Sequence, residues 1–259
     1  VTKMTKFQLT EDNYYSQQAE YKYLTNSQRK TFDECPARWL AKLTGEYEDP
    51  DKQAFFEGHY IDIALTESPS KFEAFVQANK ARIYQKSKNK KLKAFIELDM
   101  AIQSIRDEPL LMEYLQGEPQ TIISIDDFHG VPYKCKLDVL NLVKGFITDL
   151  KSAADLYGEA WSPTYRERVS FIDLYEYWTQ LAMYREAVYI KYGELLKCFL
   201  VIGQKKPPHK DDTFTDRQLF ELDDHDHMEN AVREAGKCSY CIGRKVITEP
   251  RKIKHRQRF

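Results

Sequence analysis

Residues 120–150 read QTIISIDDFHGVPYKCKLDVLNLVKGFITDL, a run dense in β-branched and aromatic residues with turn formers at His129-Gly130 and Lys144-Gly145. Such residues fit a pleated, half-buried surface, and the two interruptions divide the run into a three-stranded meander. The stretch upstream has a different texture. Asn26 or Ser27 can cap a helix running through Trp39 and Leu40, and Gly58 stands near the start of the apolar segment 60–65. Pro69 opens a further helical segment with Phe72, Phe75 and Val76 at helical spacing, and Phe95, Ile96, Met100, Ile102 and Ile105 continue that style as far as Pro109. Downstream, 170–191 reads as a long aromatic helix, 195–202 as a strand ended by Pro207-Pro208, and 223–235 as a last helix. The order of helices, three strands, helix, strand and helix predicts an α/β fold on a mixed central β-sheet flanked by helices, with a helical N-terminal part.

The chain has 259 residues with only 10 Gly and 10 Pro, and no Ser/Gly-rich or Pro-rich linker divides it. One domain over 1–259 is expected, with an N-terminal arm (1–24), a mainly helical part (25–116), a core (117–241) and a basic tail (242–259). With 39 Lys+Arg against 40 Asp+Glu, the whole-chain charge argues neither for disorder nor for a polyanion-coating protein. Any nucleic-acid contact must therefore rest on local charge. The segment KARIYQKSKNKKLK (80–93) has seven positive charges and no acid, so Lys86, Lys88, Lys90 and Lys91 are candidates for phosphate contact, with Arg29 in the first helical region. Five cysteines do not make a disulfide framework. Cys238 and Cys241 have metal-ligand spacing but need help from Cys198 or His255, and reduced structural thiols are the expectation. With no apolar run near the roughly 20 residues of a membrane span and no signal-like apolar start, a cytoplasmic protein without a membrane partner is expected.

The chemistry concentrates in Lys136-Leu137-Asp138-Val139 and Ile147-Thr148-Asp149-Leu150-Lys151-Ser152. If Lys144 and Gly145 are the two central residues of a hairpin turn, Asp138 falls directly across from Lys151. Asp149 and Lys151 share a face, because strand side chains repeat every two residues. Asp138 and Asp149 then become diagonal neighbours that can hold one hard cation such as Mg²⁺ or Mn²⁺. A lysine beside them can orient or deprotonate a water, or stabilise charge on a phosphorus centre under attack. The same residues would also make an ordinary cross-strand ion pair, worth little on a solvated face. Taken alone, they leave both readings open. Farther on, Gln180 and Tyr184 stand four apart on one helix face and can reach a single phosphate or base edge, although core packing of the tyrosine is the alternative.

Together these segments resemble the PD-(D/E)xK nuclease superfamily, and within it the RecE-like and lambda-exonuclease-like phage recombination exonucleases. The resemblance runs from about residue 27 to about 241. It rests on Asp138 followed by Asp149-Leu150-Lys151, on the Gln-x-x-x-Tyr pattern of Gln180 and Tyr184, on Glu57-Gly58-His59-Tyr60-Ile61-Asp62, and on Phe199-Leu200-Val201-Ile202 leading to Lys206-Pro207-Pro208. Where those relatives carry a histidine this chain has Asp62, with His59 three residues earlier; where several carry a glutamate near the first strand, the segment is Gly117-Glu118-Pro119-Gln120.

The resemblance implies a restriction-endonuclease-like core in which Asp138, Asp149 and the Leu150 carbonyl hold one Mg²⁺, Asp62 ligates a second, and Lys151 serves the nucleophilic water. Gln180 and Tyr184 would complete the catalytic group. It further implies a 5′-to-3′ exonuclease acting on double-stranded DNA ends, in a ring of three or four subunits. A single-strand annealing protein would be its partner, in a phage or prophage of a bacterial host. An endonuclease or RecB-like repair nuclease of the same superfamily is the alternative, and a DNA-binding or assembly module without catalysis is the alternative of another class.

Overall fold

A computed structural model describes residues 7–50, 52–85, 90–205 and 217–222, with 217–220 as backbone only. Among the described residues, eight helices precede the first strand: α1 (Gln17–Lys22), α2 (Asn26–Glu34), α3 (Pro36–Thr44), α4 (Gln53–Thr66), α5 (Pro69–Ala78), α6 (Lys80–Ile83), α7 (Lys93–Arg106) and α8 (Pro109–Tyr114). The meander follows as β1 (Glu118–Phe128), β2 (Val131–Asn141) and β3 (Phe146–Ala153). A small hairpin, β4 (Glu159–Ser162) and β5 (Glu167–Ser170), leads to α9 (Phe171–Leu174), α10 (Tyr177–Tyr192), β6 (Lys197–Gln204) and β7 (Arg217–Glu221). Among the described residues, no helix is long and apolar enough to cross a membrane.

Five strands form one sheet in the order β1-β2-β3-β6-β7. The meander and β7 pair antiparallel, whereas β3 and β6 run parallel, so the sheet is mixed as the sequence predicts. Both faces are covered. Ile147, Leu200 and Ile202 pack with Leu181, Ala182 and Val188 of α10, while Leu150, Phe199 and Val201 pack with Tyr60, Phe95 and Leu98 of α4 and α7. Burial on both sides explains the unbroken apolar run Phe199-Leu200-Val201-Ile202.

Several expectations need correction. Between β2 and β3 lie four residues, 142–145, rather than a two-residue turn: the Asn141 side chain accepts from Lys144 N at 2.8 Å, and Gly145 takes a φ of +76°. Val139 therefore faces Thr148, and the next step brings Asp138 opposite Asp149, not Lys151. The pairing moves by two positions, which preserves the face. In the first helical region Thr25, not Asn26 or Ser27, is the cap, accepting from Gln28 N at 3.1 Å, and the helix stops before Pro36 instead of running through Trp39. The aromatic helix is broken at Tyr175 and Glu176, where Glu176 adopts a left-handed φ of +53°. Hairpin β4–β5 and strand β7 were not anticipated. The expected helix over 223–235 lies outside the described residues, as do Lys86, Lys88, Cys238, Cys241, His255 and the basic tail.

Candidate active site

Strands β2 and β3 pair over only three positions and then part. Where they part, Asp138 takes over the role of a ladder partner, its Oδ2 accepting from Leu150 N at 2.8 Å. The irregularity extends to the other neighbour of β2. Regular pairing with β1 omits Gln120 and Asp138, and Gln120 has a φ of +52°. Farther along, the edge that β3 vacates is taken by the chain at Leu24, which accepts from Lys134 N at 2.9 Å and donates to Pro132 O at 2.8 Å. An opening in the sheet is left beside Lys136 and Asp138.

The remaining groups converge on that opening from both layers. Asp149 is 2% exposed; Gln180 Nε2 donates to its Oδ1 at 3.1 Å, and Lys151 Nζ stands 2.5 Å from its Oδ2. Gln180 Nε2 also donates to Tyr184 Oη at 2.8 Å, so the two helix residues act as one support behind the carboxylate. The Lys151 ammonium further reaches Leu150 O at 3.3 Å and sits 5.3 Å from the centre of the Tyr177 ring. From the opposite layer α4 supplies Asp62; nearer its start the same helix is tied by the ion pair of Glu57 with Lys205, 3.0 Å, just beyond β6.

Crowding of acids leaves an electrostatic signature. Burial first, then Asp138, raise the Asp149 carboxyl to about 6 against the pull of Lys151. Asp62 is raised well above the carboxylate range by burial and by Asp138 and Asp149, with Lys151 and Lys136 opposing. Burial pulls the Lys151 ammonium down, but Asp149 and Asp138 outweigh it and hold it above its ordinary value. His59, exposed on α4 with its ring edge on Phe75, is lowered by burial and by Lys136, with Asp138 opposing. Buried carboxylates raised by a neighbouring acid in this way would be relieved by a further positive charge.

As the side chains stand, no three His, Cys, Asp or Glu among the described residues are gathered closely enough to hold an ion. The reason is visible locally. One oxygen of Asp138 faces Leu150 N–H, and Lys151 occupies the side of Asp149 where a cation would sit. The donor set nevertheless fits a divalent ion: three carboxylates and the Leu150 carbonyl are hard oxygen ligands, and burial and like charge, which raise the pKa of Asp62 and of Asp149, are what a bound cation would offset.

Thus Asp62, Asp138, Asp149, Leu150, Lys151, Gln180 and Tyr184 come together. Other sequence candidates lie elsewhere. Arg29 is buried and ion-paired with Asp33 at 2.7 Å and with Glu176. Lys91 pairs with Asp99 at 2.6 Å and donates to Tyr60 Oη at 2.9 Å; Lys90 is exposed, and Glu118 lies at the exposed start of β1. Cys135 and Cys198 are buried thiols outside any disulfide, and Cys35 is half-buried. Sequence reasoning missed Lys30 and Tyr177. Lys30 donates to Tyr175 O and lies 5.8 Å from the Tyr177 ring, across which Lys151 also stands. Burial lowers Lys30 to about 8. The one signal for Tyr177 was its place three residues before Gln180, on the same helix face.

Residues 25–242 match the family model described as "PDDEXK-like domain of unknown function (DUF3799)". Among solved structures, the chain resembles a crystal structure from Eubacterium rectale described as "Putative exonuclease", with 24% identity, a TM-score of 0.76, and coverage of 95% of this chain and 97% of the other. No curated protein matches.

Proposed function

Because the chain belongs to the PDDEXK-like family, we propose that it is a divalent-metal-dependent deoxyribonuclease. The observation that carries this reading is the convergence of Asp62, Asp138, Asp149 and Lys151 on one opening in the sheet. Asp138, Asp149 and the Leu150 carbonyl would hold Mg²⁺, or Mn²⁺ in its place, with Asp62 available to a second ion. When bound, the metal supplies Lewis acidity toward a phosphate oxygen and lowers the pKa of a water. The chain does the rest. Gln180 and Tyr184 fix the Asp149 carboxylate, and Lys151, freed from Asp149, presents its ammonium to the water and to the charge that builds on phosphorus. Tyr177 offers the displaced ammonium a π face.

Within that reading, a 5′-to-3′ exonuclease on linear duplex DNA is the form we favour, supported by the resemblance to RecE-like enzymes and by the description of the E. rectale relative. A ring of three or four subunits, an annealing partner, a phage or prophage origin and action in the bacterial cytoplasm belong to the same proposal. The test is digestion of 5′- and 3′-labelled linear duplex and of closed circular DNA, with Mg²⁺ or with chelator. Loss of linear DNA alone, from the 5′ end and only with metal, is expected. Cutting of the circle would replace the exonuclease by an endonuclease. Lys151→Ala should slow digestion at least about 100-fold. Digestion by that variant as fast as by the parent would remove this site assignment, and a parent that binds DNA without cutting it would point to a module without catalysis.

A further inference from the structure

Lys134 and Lys136 stand two apart on β2 and project to the face opposite Tyr133, Cys135 and Leu137, which enter the core beneath α10. Their fates differ completely. Lys134 is 0% exposed: its ammonium donates to Tyr14 O, pairs with Glu20 at 2.6 Å and lies 4.5 Å from the Tyr14 ring. Lys136 is half-exposed and makes no ion pair or side-chain hydrogen bond among the described residues. It stands in the opening between the Leu24 bridge and the β2–β3 ladder, on the strand that carries Asp138. An unpaired ammonium beside a hydrolytic centre is positioned for an anion that arrives with the substrate.

The second observation is Tyr15. Its ring is 75% exposed, yet it rests edge-on at 4.8 Å on Tyr14, which the buried Lys134 fixes from below. Through Tyr14 it stands against the Lys134 ammonium, and Lys134 lies two residues from Lys136 on the same face of β2; burial, and then the charges of Asp138, Glu20 and Asp62, raise the Tyr15 pKa. An exposed aromatic ring on a buried, ion-paired base is a stacking platform with little conformational freedom left to lose.

Resting on the phosphodiesterase reading above, we propose that Lys136 and Tyr15 form a nucleotide subsite next to the scissile bond. Lys136 binds the phosphate adjacent to the one being cut, and Tyr15 stacks on the base attached to it. Two residues along a strand span about 7 Å, which is comparable to the separation of neighbouring phosphates in an extended strand. Lys136 and Asp138 thus serve consecutive phosphates.

The test is equilibrium binding of an internally labelled single strand of about 20 bases, followed by anisotropy with Ca²⁺ replacing Mg²⁺ over a series of salt concentrations. Lys136→Ala should weaken binding about tenfold and reduce the slope of log K against log salt by about 0.7. Lys136→Arg should restore both. Tyr15→Ala should weaken binding about tenfold without changing the slope, and Tyr15→Trp should restore it. Lys136→Gln, closer in length, supplies the same measurement if the alanine variant does not fold. If the parent cuts DNA but Lys136→Ala binds with the parent's affinity and slope, this subsite is wrong while the nuclease reading stands. If the parent neither binds nor cuts DNA, both fall.

Discussion

At Asp149, burial and a second carboxylate act in one direction and Lys151 acts in the other. The folded carboxyl stays protonated up to about 6, against 3.8 for an unperturbed one. Between those values the unfolded chain has released its proton while the folded chain keeps it. The contribution of this group to stability is therefore fully present below about pH 4 and is lost as pH rises through about 6, by up to about 3 kcal/mol. Metal-free protein should accordingly show a melting temperature that falls between about pH 4 and pH 6, and Asp149→Asn should flatten that fall. Mg²⁺ should raise the melting temperature more at the upper end of the range than at the lower, because the ligand must be ionised to bind. Scanning calorimetry on chelated and Mg²⁺-loaded protein decides this. A flat profile in the chelated parent would mean that Asp149 is already ionised and that the acids do not repel one another as described. Residue identities at this site were legible in the sequence, since Asp138, Asp149 and Lys151 share a face in either register. Their contacts were not. Whether Asp138 faces Lys151 or Asp149 depends on two extra turn residues, Leu142 and Val143, whose apolar character disguises them as strand.

Among the elements, the joint between α9 and α10 shows how secondary structure is aimed. Glu176 holds a left-handed backbone that costs a non-glycine residue about 1 kcal/mol, and it does so where α10 begins. The buried Arg29 of α2 pairs with its carboxylate, and Lys30 donates to the preceding carbonyl, so one turn of α2 pins the start of the helix that carries Tyr177 and Gln180. Sequence patterning gave helices on both sides but placed the first boundary wrongly, because Cys35-Pro36 ends one helix and starts the next without a change in texture. Nor did patterning reveal β4 and β5. Their cross-strand pairs, such as Trp161 with Arg168, are largely exposed, so hydrophobic alternation is weak there. The joint yields a prediction that separates support from DNA contact. Arg29→Ala leaves Asp33 and Glu176 without their shared cation and should cost about 2–4 kcal/mol in chemical denaturation. Because the guanidinium is already taken up by carboxylates, the salt slope of DNA binding should stay at the parent's value. A slope reduced by about 0.7 would instead return Arg29 to the phosphate-contacting residues.

On the scale of the whole molecule, the two layers meet in a sheet whose second strand is shared among distant parts of the chain. β1 pairs with β2 along nearly its full length, β3 takes only its far end, and the arm around Leu24 closes the edge that β3 leaves. The division into an arm and a helical part, suggested by composition, thus conceals a long-range tie. Lys134 joins Glu20 across 114 residues of sequence, and nothing in the local pattern announces a lysine with no exposed surface. Such a pair is costly to break and cheap to replace. Removing Glu20 leaves the buried ammonium with the Tyr14 carbonyl and ring alone, whereas a methionine in place of Lys134 keeps the volume and has no charge to satisfy. Glu20→Ala should therefore destabilise the parent by about 2–3 kcal/mol. The same change in a Lys134→Met background should cost less than about 1 kcal/mol, since Glu20 is 31% exposed and can turn to water. Guanidinium denaturation of the four proteins in this double-mutant cycle measures the coupling. Equal costs of Glu20→Ala in the two backgrounds would show that the ammonium does not depend on the carboxylate. The base beneath Tyr14 and Tyr15 would then be packing alone.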